Sequence, residues 1–315
     1  MNRKEIFFQD KEMCTIPFTH VIEDEFDSSL NTVDELYGAA DVLSIQNAQK
    51  HKRILWLIAM IGTIITFSFL LYDEAELHGL ILACVVMIIF LFVIHKIANR
   101  LESHRKYLEY RVFAETLRVQ FFISIAGINK SINTILPWFI KSSIPWIEEI
   151  LLTLPPISVR EKKSILDYWI RDQLAYHKSA LIRAKAKKVK DNRTTNIALV
   201  ITIIVYIIAL LFEIQVYNGF SVGMSHNVVR ALLKIALGSM SALTLFLGNY
   251  YGKLSLSYII DDHRRMIILY ENAEKEVLQK GETEELLLFL AHEFLIENST
   301  WYAYQSKNKP SIVMG

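Results

Sequence analysis

The sequence is poor in cysteine and carries no excess of charge of either sign. Its 315 residues include only two cysteines, Cys14 and Cys84, with no CxxC pair. Two cysteines are too few for a disulfide framework or for a thiolate zinc site. The 34 Lys and Arg are balanced by 33 Asp and Glu, which leaves a net charge of +1. No positive excess therefore points to nucleic acid as a partner.

The sequence also lacks several motifs that mark common enzymes. GxGxxG, GxxxxGK[ST] and HExxH do not occur. The nine histidines are scattered, and no carboxylate pair lies in a recognisable catalytic frame. Asp261-Asp262-His263 and His292-Glu293 offer metal-capable groups, but helix neighbours point about 100° apart and do not converge on one ion. We therefore expect no catalytic residue, no metal site and no cofactor.

Long apolar runs are what the sequence does contain. Hydrophobic residues make up 52% of the chain, and charged residues still make up 21%. Four blocks of 17 to 19 residues contain no Asp, Glu, Lys or Arg, namely 54–72, 77–94, 194–212 and 235–251. As helices, such blocks match the roughly 30 Å hydrocarbon thickness of a bilayer. The sequence thus predicts an all-α membrane protein with two transmembrane helical hairpins (four spans) and cytoplasmic amphipathic helices.

The charges beside these blocks predict their orientation. Three cations between residues 50 and 53 precede the first block, and three acids between 73 and 76 follow it. Six Lys or Arg between Arg183 and Arg193 precede the third block. Because cytoplasmic loops are rich in Lys and Arg, we expect both termini and the central segment to lie in the cytoplasm, with the spans in the inner membrane. The six-cation run is also compatible with contact to anionic lipid in the bilayer.

An internal similarity predicts a duplicated unit. The pattern His104-Arg105-Lys106, Ala114-Glu115, Gln120 is matched 159 residues later by His263-Arg264-Arg265, Ala273-Glu274, Gln279. We therefore divide the chain into an N-terminal cytoplasmic arm (1–36), a first hairpin plus cytoplasmic helix (37–126), a helical connector (127–193), a second hairpin plus cytoplasmic helices (194–305) and a tail (306–315). The arm, with an acidic cluster at 23–27, is interpreted as a surface segment without an assigned function.

Helical spacing extends beyond the second span. From Leu101 to Ala126, apolar residues and i,i+4 ion pairs such as Arg111 with Glu115 predict that the span continues as a long amphipathic helix. Two Pro-Trp steps, at 137–138 and 145–146, suit a membrane interface or a packed reversal equally well. The capping-box spacing of residues 158 and 161 then predicts the start of a further helix.

The fourth span carries a polar stripe. Its members recur at helical spacing on one side and are Lys234, Gly238, Ser241, Thr244 and Gly248. Hydrocarbon penalises polar side chains that face neither protein nor water. The stripe therefore either packs closely against other helices or lines a pore. No acidic ring or carbonyl-filter sequence accompanies it, so a pore here would be poorly selective.

Four segments carry a resemblance to a known family. They are YGAADVL (37–43), HRKYLEYRVFAETLRVQFF (104–122), WIRDQLAYH (169–177) and the stretch 291–301. Together they resemble the SLATT-type superfamily, in its four-span version. Its members are prokaryotic transmembrane effector domains associated with second-messenger nucleotide synthetases and nucleotide-sensing domains. The candidate regulatory, ligand or partner contacts in these segments are His104, Arg105, Tyr107, Arg111, Glu115, Arg118, Trp169, Gln173, Tyr176 and His177.

The resemblance implies an effector of an antiviral or other conflict system that forms pores or disrupts the membrane after a partner senses infection. The chain has no room for a nucleotide-binding domain, so a separately encoded sensor or synthetase is the expected partner. The leading hypothesis is a homo-oligomer whose cytoplasmic helices hold the spans closed until triggered. The rival is a membrane-anchored scaffold or receptor that recruits a soluble enzyme. A small-molecule transporter is less favoured, because no span is broken and none contains an ionisable group.

Overall fold

The fold is entirely helical wherever the structure describes it. The computed structural model describes residues 2–21, 28–75, 77–154, 157, 159, 164–218, 225–253 and 256–307. Regular elements in these ranges are all helices, which confirms the all-α prediction. They are α1 (Arg3–Glu12), α2 (Asn31–Glu74), α3 (Leu80–Leu101), α4 (Ser103–Ile125), α5 (Trp138–Ser143), α6 (Pro145–Leu151), α7 (Asp172–Tyr217), α8 (His226–Lys253), α9 (Leu256–Lys280) and α10 (Glu284–Lys307).

The chain forms two compact units. The first, here called the polar unit, comprises Met1–His51, Glu102–Ile182 and Ile260–Ser311. The second, here called the span unit, comprises mainly Lys52–Leu101 and Arg183–Ile259. Three helices therefore contribute to both. Helices α2 and α7 each begin in the polar unit and end in the span unit, and α9 begins in the span unit and continues in the polar unit.

The span unit holds the four predicted spans. Helices α2, α3, α7 and α8 contain the four charge-free blocks apart from residues 77–79, and each is long and apolar enough to cross a bilayer. Only 6% to 17% of the residues in each apolar window are buried within the protein. Apolar side chains that face lipid need no protein partner, so this low burial is typical of membrane helices. The prediction of a multi-pass membrane protein is confirmed.

A break separates α3 from α4, where the sequence predicted one continuous helix. Glu102 adopts a left-handed conformation with φ of 46°. Few residues other than glycine take this conformation, and it ends the helical hydrogen-bond ladder. Glu102 pairs with Arg105, and Lys106 pairs with Asp10 of α1 at 2.6 Å.

Helix α4 is the centre of the polar unit. The sequence predicted an amphipathic helix here, and the structure shows one that is buried on all sides. Apolar side chains on every side of it, including Val112, Phe113, Leu117 and Phe121, are almost fully buried. Its charged residues pair with neighbours instead of facing water, as Arg111 does with Glu115 at 2.6 Å. Helices that are buried all round occur only inside a core.

The N-terminal segment covers one side of α4 and is not a surface arm. Phe7 of α1 has no exposed surface and packs against Tyr110, Phe113 and Trp146, with ring centroids 5.3 to 5.7 Å apart. Aromatic pairs in such geometry add to the energy of burial. The acidic cluster at 23–27 lies outside the described residues.

The two Pro-Trp steps have different environments. Trp146 is buried and donates its indole N–H to Glu109 at 3.0 Å, which fits the packed reversal. Trp138 is 81% exposed, as an interfacial tryptophan would be. The predicted capping residues 158 and 161 lie outside the described residues. The helix expected there is seen from Leu166, where six residues of π-helix lead into α7.

The close approach of residues 18–19 to α2 gives a stability test. A Cβ added at Gly38 would clash with the carbonyl oxygen of Thr19 and the Cβ of Phe18. Gly38→Ala should therefore lower the free energy of unfolding by about 1–3 kcal/mol, the usual cost of overpacking. Thermal unfolding in detergent measures it. The control is Gly248→Ala, since nothing lies within 4 Å of the added methyl. Equal stability of Gly38→Ala and wild type would contradict this packing.

Candidate functional site

Four charged side chains of the polar unit form one network, here called the charged cluster. It consists of Asp41 on α2 and Arg111, Glu115 and Arg118 on α4. Arg111 donates from Nη1 to Asp41 Oδ1 at 3.2 Å and pairs through Nη2 with Glu115 Oε1 at 2.6 Å. The other oxygen of Glu115 pairs with Arg118. Helical spacing explains the alignment, because residues 111, 115 and 118 lie on one face of α4. Two cations and two anions make the cluster formally neutral.

The cluster is charged despite being largely shielded from water. The side chains of Glu115 and Arg118 are only 15% and 16% exposed. Burial alone would raise the pKa of Glu115, but the positive charges of Arg111 and Arg118 outweigh it and lower that pKa. The Glu115 carboxylate is thus held ionised by its two partners. A group that changes this charge balance would disturb the contact between α2 and α4.

Tyrosines surround the charged cluster. Burial raises the pKa of Tyr37 to about 12, and burial also raises the pKa of Tyr107. Both phenols therefore remain protonated donors at neutral pH. Tyr107 packs edge-on against Trp301 of α10, with ring centroids 5.8 Å apart. Tyr176 of α7 is 44% exposed, which makes it the accessible aromatic side chain of the group.

Two histidines meet beside this network. His177 Nδ1 and His263 Nδ1 are 3.0 Å apart, and the His177 ring also contacts Tyr176 and Tyr270. Burial, followed by the nearby His263 and Arg118, lowers the pKa of His177 to about 3. His177 is therefore neutral at physiological pH. Within the described ranges, no group of three or more His, Cys, Asp or Glu is arranged to hold a metal ion.

The remaining predicted contacts have structural neighbours elsewhere in the polar unit. Trp169 is 1% exposed and stacks on Phe122, so it belongs to the core. Gln173 is buried and donates to Asp172 at 3.0 Å. His104 lies 3.3 Å from the carbonyl oxygen of Gln305. Arg105 pairs with Glu102, as described above. The structure thus brings six of the ten together, namely Tyr107, Arg111, Glu115, Arg118, Tyr176 and His177.

Other members of the site were not among the predicted contacts. Asp41 and Tyr37 lie in the segment YGAADVL, where an aspartate among apolar residues was the available signal. His263 occupies the position of His104 in the second copy of the internal pattern. Tyr270 had no signal in the sequence, because it is buried by distant residues, His177 of α7 and Phe294 of α10.

The four segments that carry the family resemblance pack on one another. Segment 37–43 joins segment 104–122 through Asp41 and Arg111. Segment 291–301 joins the same helix, where Asn298 donates to the carbonyl oxygen of Val112 at 3.2 Å. Trp169 of segment 169–177 joins it by stacking on Phe122. These residues thus form one spatial group.

The hydroxyls of the predicted polar stripe are paired inside the span unit. Thr244 of α8 lies 3.1 Å from Thr202 of α7, hydroxyl to hydroxyl. One turn away, Ser241 lies 3.4 Å from the phenol oxygen of Tyr206. Hydroxyl pairs of this kind satisfy polar groups that hydrocarbon would otherwise leave without partners. In this arrangement the hydroxyls face a neighbouring helix.

Two further residues of the stripe face α2. A Cβ added at Gly238 would lie 2.5 Å from Leu70 Cδ1, so the glycine permits a close helix contact. Lys234 pairs with Glu74 at 2.9 Å near the ends of the two helices. Gly248 has nothing within 4 Å of an added Cβ. Four of the five stripe residues therefore have partners within the chain.

Comparison of the chain with protein-family models, with curated proteins and with solved structures finds no match.

Removal of one charge from the cluster should be costly. Glu115→Gln leaves Arg111 and Arg118 with a single carboxylate, and we expect the unfolding free energy to fall by about 2–4 kcal/mol. Thermal and denaturant unfolding in detergent measure it. The matched control is Glu274→Gln at the equivalent position of the second copy, where the partner Arg171 is exposed and little change is expected. Equal losses for the two variants would contradict the importance of the cluster.

Acid should destabilise the polar unit through His177. Its folded pKa, about 3, lies below the usual 6.5, so the unfolded state binds more protons between these values. Stability is then complete above about pH 6.5 and declines toward pH 3, by at most about 1.4 kcal/mol per pH unit for this group. Unfolding measured from pH 7.5 to pH 4 should show a shallower decline in His177→Gln than in wild type. The control His292→Gln should keep the wild-type slope, and identical slopes for all three would refute the assignment.

Proposed function

We propose that the chain is a homo-oligomeric effector of a prokaryotic anti-phage or conflict system. It lies in the inner membrane with both termini in the cytoplasm. When a separately encoded sensor or a nucleotide second messenger triggers it, its spans form a pore or disrupt the bilayer. The support comes from the flanking charges, the resemblance to SLATT-type effectors, and above all the polar stripe of α8.

The observation that carries the proposal is the pairing of hydroxyls between α7 and α8. Thr202 with Thr244 and Tyr206 with Ser241 place four hydroxyls on facing sides of two spans. Hydroxyls inside a membrane form hydrogen bonds either with one another or with water, because lipid tails offer no hydrogen-bonding groups. In this proposal, the paired hydroxyls belong to a closed state. Separation of α8 from α7 would expose the same hydroxyls to a water-filled path.

The charged cluster supports a regulatory role for the polar unit. Asp41 belongs to α2, and the same helix continues as the first span. A partner or ligand that competes for Arg111 would release Asp41 and free α2 to move. Interactions that differ between two states are what shifts a population from one to the other. The accessible ring of Tyr176 offers a contact for such a partner.

Ion flux tests the pore. We expect expression of the triggered system to collapse the membrane potential, as followed with a potential-sensitive dye. Ser241→Leu with Thr244→Leu should reduce the flux severalfold, because leucine makes the path apolar. Leu245→Ala is the matched control, since Leu245 is 73% exposed on the same helix. Growth arrest with intact polarisation, or unchanged flux in a stably inserted leucine variant, would contradict the proposal.

A second candidate is a membrane-anchored scaffold or receptor that recruits a soluble enzyme. It is favoured by the partners that Gly238, Ser241 and Thr244 have within the chain, because a stripe used only for packing leaves the spans as an anchor. Replacement of the four spans by unrelated spans of equal length separates the two candidates. Full activity of the chimera supports the scaffold, and loss of activity with a folded polar unit supports the pore.

A further inference from the structure

An open space of about 520 Å³ lies against one face of α7 where the span begins, and this face with its space is here called the groove. The described residues that line it all belong to α7 and are Val189, Asn192, Arg193, Asn196, Ile197, Val200 and Ile201. These positions recur every three or four residues, so they form one face of the helix. The exposed fractions of Val189, Ile197 and Val200 are 50% to 68%, and the groove is therefore open to its surroundings.

The groove changes character along its length. Asn192, Arg193 and Asn196 provide hydrogen-bond donors at its first end, and Ile197, Val200 and Ile201 make its second end apolar. Residues 193 and 201 are about 12 Å apart along the axis, at 1.5 Å per residue. The apolar end lies within the charge-free block 194–212, and the polar end lies at its margin. A molecule that fits both ends needs a polar, hydrogen-bond-accepting head and an apolar chain.

Positive charge accumulates around the polar end. Among the described residues, Lys185, Lys190 and Arg193 make no ion pair with an acidic side chain. By helical geometry, Lys185 and Lys190 lie within about 80° of Arg193 around α7. Cations without an acidic partner favour an anion.

We propose that this groove binds one anionic phospholipid. The headgroup phosphate accepts hydrogen bonds from Arg193, Asn192 and Asn196, and an acyl chain lies along Ile197, Val200 and Ile201. Planar guanidinium groups bind phosphate oxygens with two hydrogen bonds, which gives Arg193 the main role. Basic segments next to a span attract anionic headgroups in general, and the groove adds a defined place for one of them. The inference does not depend on whether the spans conduct.

Lipid binding to the purified full-length chain in detergent tests it. Native mass spectrometry during titration with dioleoyl-phosphatidylglycerol should detect one tightly bound lipid per chain. Dioleoyl-phosphatidylcholine should bind at least tenfold more weakly, because its headgroup has no net charge. Glycerophosphoglycerol, which has the same headgroup without acyl chains, should not bind. Equal binding of the two lipids would overturn the proposal, and tight binding of glycerophosphoglycerol would assign the groove to a soluble phosphate instead.

Variants locate the site. Arg193→Gln should weaken phosphatidylglycerol binding by about tenfold or more, because it removes a charge-assisted hydrogen bond. Arg193→Lys keeps the charge and should bind more tightly than Arg193→Gln. Lys96→Gln is the matched control, because it removes one exposed charge near the end of another span. Gel filtration shows whether each variant is folded. If Lys96→Gln weakens binding as much as Arg193→Gln does, the attraction comes from net charge and the groove is not a site.

Discussion

The exclusion of charge from hydrocarbon is the constraint on which the structure depends. Four blocks without Asp, Glu, Lys or Arg form helices that cross a bilayer, and the charged residues are displaced to the helix ends and to the polar unit. Because the bilayer satisfies apolar side chains on its own, the span unit buries few of them. The few polar groups that remain in the spans, such as Ser241 and Thr244, find partners on neighbouring helices.

The polar unit follows the opposite rule, because it must build its own core in water. Helix α4 is surrounded on all sides, and its charged residues survive burial only through pairing. Arg111 and Arg118 balance Asp41 and Glu115, and the balance fixes α2 against α4. A charged network is a suitable element for regulation, since removal of one member leaves the others without compensation. This makes the charged cluster the centre of the proposed response.

The sequence was informative where one physical rule dominated and less so where distant segments meet. The four spans followed from hydropathy, and the pairing of Arg111 with Glu115 followed from i,i+4 spacing. The prediction that α4 is amphipathic was wrong because α1 covers the outer side of α4. The ten residues of α1, which include Phe7, show no sequence pattern that predicts this contact. Asp41 and His263 are separated from their partners by 70 and 86 residues, so local spacing did not identify those pairs.

The central claim is that the chain crosses the membrane four times with all large polar segments on one side. Cysteine accessibility tests this claim most directly. In a background without Cys14 and Cys84, single cysteines are placed at Gly79 and Ser225, in the short connections between spans, and at Lys130 and Glu282 of the polar unit. Intact cells are then treated with a membrane-impermeant maleimide. The account predicts labelling at 79 and 225 and protection at 130 and 282 until the cells are lysed. Labelling of 130 or 282 in intact cells would contradict it.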